Sequence, residues 1–429
     1  MENIYDVAII GGGPAGSTAA TLLARAGRSV VLLEREKFPR FHIGESLLPY
    51  SMSIFERLGI RDRLDALFLK KHGAELATAC GERNVKFFFK NGFRLDHASS
   101  YQVERATFDK LLLDHAKENG VEVREEVTVA KVHFGEQNVS LSVRSAAGEG
   151  EVNARYLIDA SGRNTIVGSQ LKLKKSYATL QKFSVFAHYE NVLRDPGPDA
   201  TLTRMVRGHD RWFWMIPLGA TRMSIGLVMD IEDFKALRSS PEKALTEAIA
   251  EQPIIQSRMA AAERVSEVYS TGDYSYRNSQ FTGERWLLAG DAAGFIDPVF
   301  STGVHLALVS GEHAADALNV ILDHPSRRAK LFKAYEKRLN RVMDLYLRFV
   351  NAWYRHEFAE VLSQPTERFN LPGAINAVLA GNFDGGFAIW WRMQLFYLVV
   401  YLQKFYPLCP RLGLRPQAAN PVPEPTCVP

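Results

Sequence analysis

An unbroken apolar strand that runs straight into a glycine turn constrains this chain more than any other feature. Val7-Ala8-Ile9-Ile10 follows Asp6 without a polar interruption, as in a strand covered on both faces. Gly11-Gly12-Gly13-Pro14-Ala15-Gly16 comes next, and the spacing predicts a helix from about Pro14 to a C-cap at Gly27. A second strand over 29–33 ends at Glu34. In such a unit Gly11 permits the tight turn, Gly13 lets the backbone approach a pyrophosphate, and Gly16 lets helix and strand pack closely. An acid about 20 residues further on accepts from ribose hydroxyls, and Glu34 stands there. A glycine-rich turn with a surface glutamate is the bland alternative. The strand before the turn and the helix after it argue against that alternative.

The 429 residues exceed one simple core and fit two or three packed units. A hydrophobic share of 46% and a charged share of 23% are those of an ordinary globular protein. A net charge of +4 is small at this length and makes no case for nucleic acid. Cys80, Cys409 and Cys427 form no close pair, so neither a disulfide framework nor a metal site is expected. No basic leader with an apolar core precedes the first strand, which points to a cytoplasmic protein. The apolar stretch 387–408 is broken by Arg392, Gln394, Gln403 and Lys404, so it reads as a buried or capping helix, not a span.

Periodicity predicts a helix over 105–117, then a small three-stranded meander near 127–132, 139–143 and 152–158. The stretch 182–277 reads as a second sheet with two short helices, including strands at 183–189, 212–216 and 223–229. A buried strand over 286–289 returns to the first unit, and 327–361 is helical. The fold expected is α/β: a discontinuous Rossmann-type nucleotide-binding domain (1–80, 100–180, 278–325) with an inserted substrate-side sheet (81–99, 181–277). A helical region (326–406) and a proline-rich tail (407–429) follow.

Three further motifs narrow the cofactor. Trp286-Leu287-Leu288-Ala289-Gly290-Asp291-Ala292-Ala293-Gly294 resembles the flavoprotein segment that sets an aspartate on the FAD ribityl chain. Ile158-Asp159-Ala160-Ser161-Gly162-Arg163 and Arg105 resemble two more positions of that class. Each has a structural alternative, a strand-end turn or a helix-surface charge, but those alternatives would all have to hold at once. No second glycine fingerprint follows a strand. A partner that reduces the flavin, or a transient NAD(P)H, is therefore expected.

Gly44-Glu45-Ser46-Leu47-Leu48-Pro49, Trp212-Phe213-Trp214-Met215-Ile216-Pro217 and Phe295-Ile296-Asp297-Pro298-Val299-Phe300-Ser301-Thr302-Gly303 complete the pattern. With the glycine loop, these runs resemble the flavin-dependent halogenases over residues 1 to about 345. The likeness is greatest to the branch acting on phenols and pyrroles, often tethered to a carrier protein. That family sits within the wider superfamily of FAD-dependent monooxygenases and geranylgeranyl-type reductases, and the fold implied is of the aromatic-hydroxylase kind. The resemblance implies FAD reduced by a separate reductase, with O2 and chloride or bromide as co-substrates. In the implied chemistry a flavin C4a-hydroperoxide oxidises halide to hypohalous acid. An active-site lysine then passes the halogen to an electron-rich ring.

By the same resemblance, Gly11, Gly13, Ala15, Gly16, Glu34, Arg105, Asp291, Gly303 and Val304 hold FAD, and the Thr302 and Gly303 amides hold halide. Lys71 matches the catalytic lysine, with Lys70 as the alternative register; two solvated lysines at a helix end are the bland reading. Burial would bring such a lysine toward neutrality. Trp212, Trp214, Ile216 and Pro217 match a gate between flavin and substrate, although alternating residues of this kind can be plain core. Tryptophan halogenases carry a glutamate where this chain has Phe300. That departure removes a carboxylate able to take the ring proton and argues against free tryptophan as substrate. His72, His305 and Glu45 lie near the motifs and receive no proton-transfer role. The competing readings are an aromatic monooxygenase or oxidase, an isoprenoid reductase, and a flavin-binding module for a carrier partner.

Overall fold

The computed structural model describes residues 4–364 and 368–415. Cys427 and the end of the proline-rich tail lie outside the described residues. Tyr5–Ile10 runs parallel to Val30–Leu33 on one side and to Gly148–Asp159 on the other. Glu122–Arg124 extends one edge, and Trp286–Leu288 pairs in parallel with the end of Gly148–Asp159. Val7, Ala8 and Ile9 are fully buried, as an unbroken apolar strand between helical layers requires. The expected meander is present as Thr128–Phe134, Val139–Ser145 and Gly148–Asp159. Its third strand is also a central strand of the main sheet, because its first half pairs antiparallel and its second half parallel.

An eight-stranded sheet forms the second layer, with Arg211–Pro217 between Thr203–Arg207 and Met223–Asp230. Gly73–Thr78 belongs to this sheet, paired in parallel with Thr203–Arg207. The boundary expected near residue 80 therefore falls about eight residues too late. Three short helices, Ile231–Leu237, Pro241–Ala250 and Pro253–Arg258, stand where two were expected. Leu245, Ala248 and Ile255 pack with Phe213, Met215, Ile225 and Leu227 on one face of the sheet. Trp212, Trp214 and Ile216 point the other way, into the large core shared with the nucleotide-binding unit and the C-terminal helices.

The single helical stretch expected over 327–361 is broken into Arg328–Trp353 and His356–Leu362. Leu371–Leu379 and Gly386–Gln403 follow. Of the two expectations for the last helix, buried or capping, it takes the capping one, with a single side on the core. Ile389, Met393, Phe396 and Val400 line an inner face, while Phe387 and Trp390 are 75% and 57% exposed. It is apolar around its whole circumference, and only one side finds the core. No helix among the described residues is long and apolar enough to cross a membrane.

Candidate active site

Backbone crowding explains the glycine turn. Gly11 adopts φ +100°, and a Cβ there would stand 2.4 Å from the Ala160 oxygen. A Cβ on Gly16 would stand 1.9 Å from the Gly11 oxygen, so the helix Pro14–Arg25 can approach the strand only with glycine at that position. Glu34 is buried and accepts from the Gly12 amide at 2.7 Å and the Glu36 amide at 2.9 Å. Gly13 has only the Arg40 guanidinium near its α-carbon, at 3.7 Å from a Cβ position. Bare backbone beside a cation suits a pyrophosphate.

Local contacts also draw other expected cofactor residues together. A Cβ on Gly44 would meet Arg105 Nη1 at 2.9 Å and Val304 at 3.4 Å, which brings those three together. Arg105 is buried; its Nε and Nη2 donate to Asp109 at 2.7 and 2.8 Å, and its Nη1 donates to the Ile43 oxygen at 2.6 Å. Gly290 takes φ +60° with its α-carbon against Ala15 and Ala307, so Asp291 turns beside the glycine-loop helix. Burial pushes the Asp291 carboxyl up to about 6, against the pull of Arg105 and Arg163. Asp159 instead binds the Ser161 and Val167 amides at 3.0 and 2.8 Å, holding its own turn. The glycine cradle, the two arginines and the buried acids fit FAD.

The motif 295–303 is a capped turn that feeds a long helix. Asp297 Oδ1 accepts from the Val299 amide at 3.0 Å, Pro298–Phe300 makes one 3-10 turn, and Ser301 sits in the left-handed region at φ 59°. Thr302–Asp323 then begins, with the Thr302, Gly303 and Val304 amides among the N–H groups that lack an intrahelical acceptor. A Cβ on Gly303 would stand 3.0 Å from the Phe295 ring, so a neighbouring side chain explains this glycine, not an unusual φ.

Phe300 joins the turn to the tryptophan wall. Its ring lies 4.5 Å from Phe349 and 5.7 Å from Trp353, and Trp353 lies 6.1 Å from Trp212. Trp212 Nε1 donates to the Tyr354 hydroxyl at 3.2 Å, which donates to Asp297 Oδ2 at 2.8 Å. Lys182 Nζ stands 3.9 Å over the Tyr354 ring. Trp214 lies 6.0 Å from Trp212, its Nε1 donates to Ser224 Oγ at 3.1 Å, and its ring occupies space that Gly226 leaves open. Tyr354 carries no motif that sequence reasoning could weigh. The one hint is its place at the end of an aromatic helix stripe.

Asp297 yields a pH prediction. Burial raises its carboxyl to about 6, despite the Val299 amide, the Tyr354 hydroxyl and Lys182. A carboxyl raised in the fold stabilises the protein below its unfolded value of about 4, and that stability is lost as pH rises through 6. Asp297→Asn removes this dependence. Its melting temperature relative to the wild type should climb between pH 4 and 7, corresponding to about 3 kcal/mol as an upper bound, in thermal denaturation scans.

At the far end of the wall the two lysines separate. Both lie in the strand Leu69–Lys71, not at a helix end, and strand alternation turns them to opposite sides. Lys70 is exposed and pairs with Asp65 at 3.3 Å. Lys71 is 2% exposed; its Nζ donates to the Leu47 oxygen at 3.2 Å and lies 5.3 Å from the Phe89 ring centroid. Among the described residues no carboxylate pairs with Lys71, and burial lowers its ammonium to about 7. Ser46, beside Leu47, hydrogen-bonds Thr203 at 2.8 Å, as does Gln102. Arg204 faces Met215 across the sheet, which puts Thr203 beside Ile216 and Pro217. The strand Arg211–Pro217 therefore runs from the capped turn at Trp212 to Ile216, beside the Thr203–Ser46 pair next to Leu47.

His72 bonds Thr201 at 2.9 Å and His305 bonds Ser51 at 3.0 Å. Glu45 bonds His188 at 2.6 Å.

Known proteins resemble this chain in sequence and in fold. The family profile described as FAD binding domain matches residues 4–349. A 1H-pyrrole-2-carbonyl-[peptidyl-carrier protein] chlorinase of Pseudomonas fluorescens is 30% identical over 397 residues, covering 86% of this chain and 88% of that one. The corresponding brominase of Pseudoalteromonas luteoviolacea is 34% identical over 325 residues, 74% of this chain and 78% of that one. Among solved structures, a flavin-dependent brominase superposes with a TM-score of 0.83 at 29% identity, covering 94% of this chain and 100% of that one. The myxobacterial chondrochloren halogenase gives 0.77 at 30% identity, covering 97% and 100%. The chain is an FAD-dependent oxidoreductase and belongs to the flavin-dependent halogenase family.

Proposed function

We propose that the protein halogenates an electron-rich aromatic ring, a phenol or a pyrrole, presented free or on a carrier protein, with Lys71 as the halogen-transferring residue. What supports this reading is a buried lysine without an acid partner among the described residues, together with a helix N-terminus of unpaired amides whose turn is tied through Tyr354 to Trp212. The relatives named for carrier-bound pyrrole chlorination and bromination support the substrate class.

Reduced FAD, delivered by a separate reductase, supplies with O2 the oxidising equivalents that convert halide to hypohalous acid. The Thr302 and Gly303 amides hold the halide, and no charged acid faces it from Phe300. Trp212, Trp214, Ile216 and Pro217 keep the substrate ring from the flavin side, so that oxygen is not inserted directly. Hypohalous acid reaches Lys71, where the neutral amine present near pH 7 takes the halogen; the N–X bond forms as the X–O bond breaks, and water leaves. The ring then attacks the halogen as the N–X bond breaks, and the proton the ring loses returns to the nitrogen, which restores the amine.

The test supplies FADH2 through a reductase, with O2 and chloride or bromide, to a panel of phenols and pyrroles. Mass spectrometry is expected to show halogen isotope patterns in the product. A hydroxylated product without halogen would overturn the proposal in favour of a monooxygenase.

A further inference from the structure

The C-terminal helix Leu371–Leu379, a region with no motif, is bonded to the segments that carry the partners of Lys71. Three hydrogen bonds fix that helix. The Phe93 amide donates to the Gly373 oxygen at 2.9 Å, and the Tyr50 amide donates to the Ala380 oxygen at 3.0 Å. Between them, Asn376 Nδ2 donates to the Phe88 oxygen at 2.6 Å. Phe88 precedes the residue whose ring faces Lys71, and Tyr50 lies three residues from Leu47, whose carbonyl takes the Lys71 ammonium.

Asn376 is 3% exposed, and its Oδ1 has no hydrogen-bond partner. The amide cannot be turned over, because the Phe88 carbonyl only accepts and so must face the NH2 group. Oδ1 is therefore a buried acceptor with a fixed direction. Ser100, opposite Lys71 in the antiparallel pair, carries a second buried and unpartnered polar atom, Oγ. Desolvated acceptors without donors are unfavourable unless a ligand completes them.

We infer that Asn376 Oδ1 accepts the ring donor of the substrate, the O–H of a phenol or the N–H of a pyrrole, and orients the ring beside Lys71. This inference rests on the halogenase reading. The acceptor adds an electronic effect, since a hydrogen bond drawn from the heteroatom leaves the ring more nucleophilic. A site built to receive a donor discriminates strongly against the analogue that lacks it, because its own polar atom is then left unpaired.

The test uses matched pairs that differ only in that donor: 4-propylphenol and its methyl ether, and methyl pyrrole-2-carboxylate and its N-methyl derivative. Binding to the oxidised holoenzyme is followed by calorimetry, and turnover by product mass. In the wild type, methylation of at least one pair should weaken binding by roughly 10-fold or more, and Asn376→Leu should compress the difference below about 3-fold. Asn376→Ala serves the same purpose should the leucine variant fail to fold. Halogenated product without donor preference in the wild type overturns the inference alone, as does a preference that survives in the variant. Failure of every probe to bind or react overturns both this inference and the halogenase reading.

Discussion

Lys71→Met should abolish halogen transfer and leave a protein that melts later than the wild type. Lys71 contacts one carbonyl and one ring face, and no charge offsets its burial. Its ammonium falls from 10.5 to about 7, which corresponds to a penalty on the charged form of about 5 kcal/mol as an upper bound. Methionine keeps most of the volume and removes the penalty, at about 1 kcal/mol for the Leu47 carbonyl left without its donor.

The sign with pH follows from proton counting. The unfolded chain keeps the lysine proton up to about 10.5, and the native state releases it near 7. Between those values the unfolded state binds more protons, so the wild type gains stability as pH rises. The advantage of the variant should therefore be greatest at pH 7 and below, and should shrink toward pH 10. FAD content should be unchanged, and halogenation should fall at least about 100-fold. A variant that halogenates normally would remove Lys71 from the chemistry. One that melts earlier at every pH would show that the lysine is held by favourable contacts that its surroundings do not suggest.

The nucleotide-binding half was legible because its constraints are local. A buried strand, a backbone crossing at Gly11 and Gly16, and an acid at the next strand end all leave marks at fixed spacing. The lysine register was not legible, because Lys70 and Lys71 are chemically identical neighbours. Only their place in a three-residue strand turns one inward. The domain boundary was missed because Gly73–Thr78 is apolar enough to serve either sheet, and its partner Thr203–Arg207 lies far away in sequence. Residues such as Tyr354 and Asn376 act through where a helix sets them down, and nothing in their local sequence records that. Which of buried or capping Gly386–Gln403 would be was not legible for a related reason: composition reports how apolar a helix is, not how much of it finds a partner.

Gly311→Ala should deplete the protein of FAD, although the substitution lies nine residues into a helix and adds one methyl group. A Cβ at Gly311 would stand 2.4 Å from the Ala15 oxygen and 3.1 Å from its carbonyl carbon. Both atoms are backbone of the first turn of Pro14–Arg25, so no side-chain rotation relieves the overlap. The helices must move apart by roughly 1 Å, and each is rigid enough to carry the shift to its N-terminus. One N-terminus is the pyrophosphate turn at Gly13, the other the amide turn at Thr302. The bond from the Gly290 amide to Ser310 Oγ, at 2.7 Å, transmits the same shift to Asp291. We expect a destabilisation of about 3 kcal/mol and FAD affinity lower by roughly 10- to 100-fold. Thermal unfolding and flavin fluorescence on rebinding to the apoprotein measure the two effects. Gly219→Ala is the control, since nothing lies within 4 Å of a Cβ there. It should change neither quantity. Equal FAD retention by the two variants would mean that the crossing of the helices is soft, and that the cofactor cleft does not depend on how closely they approach.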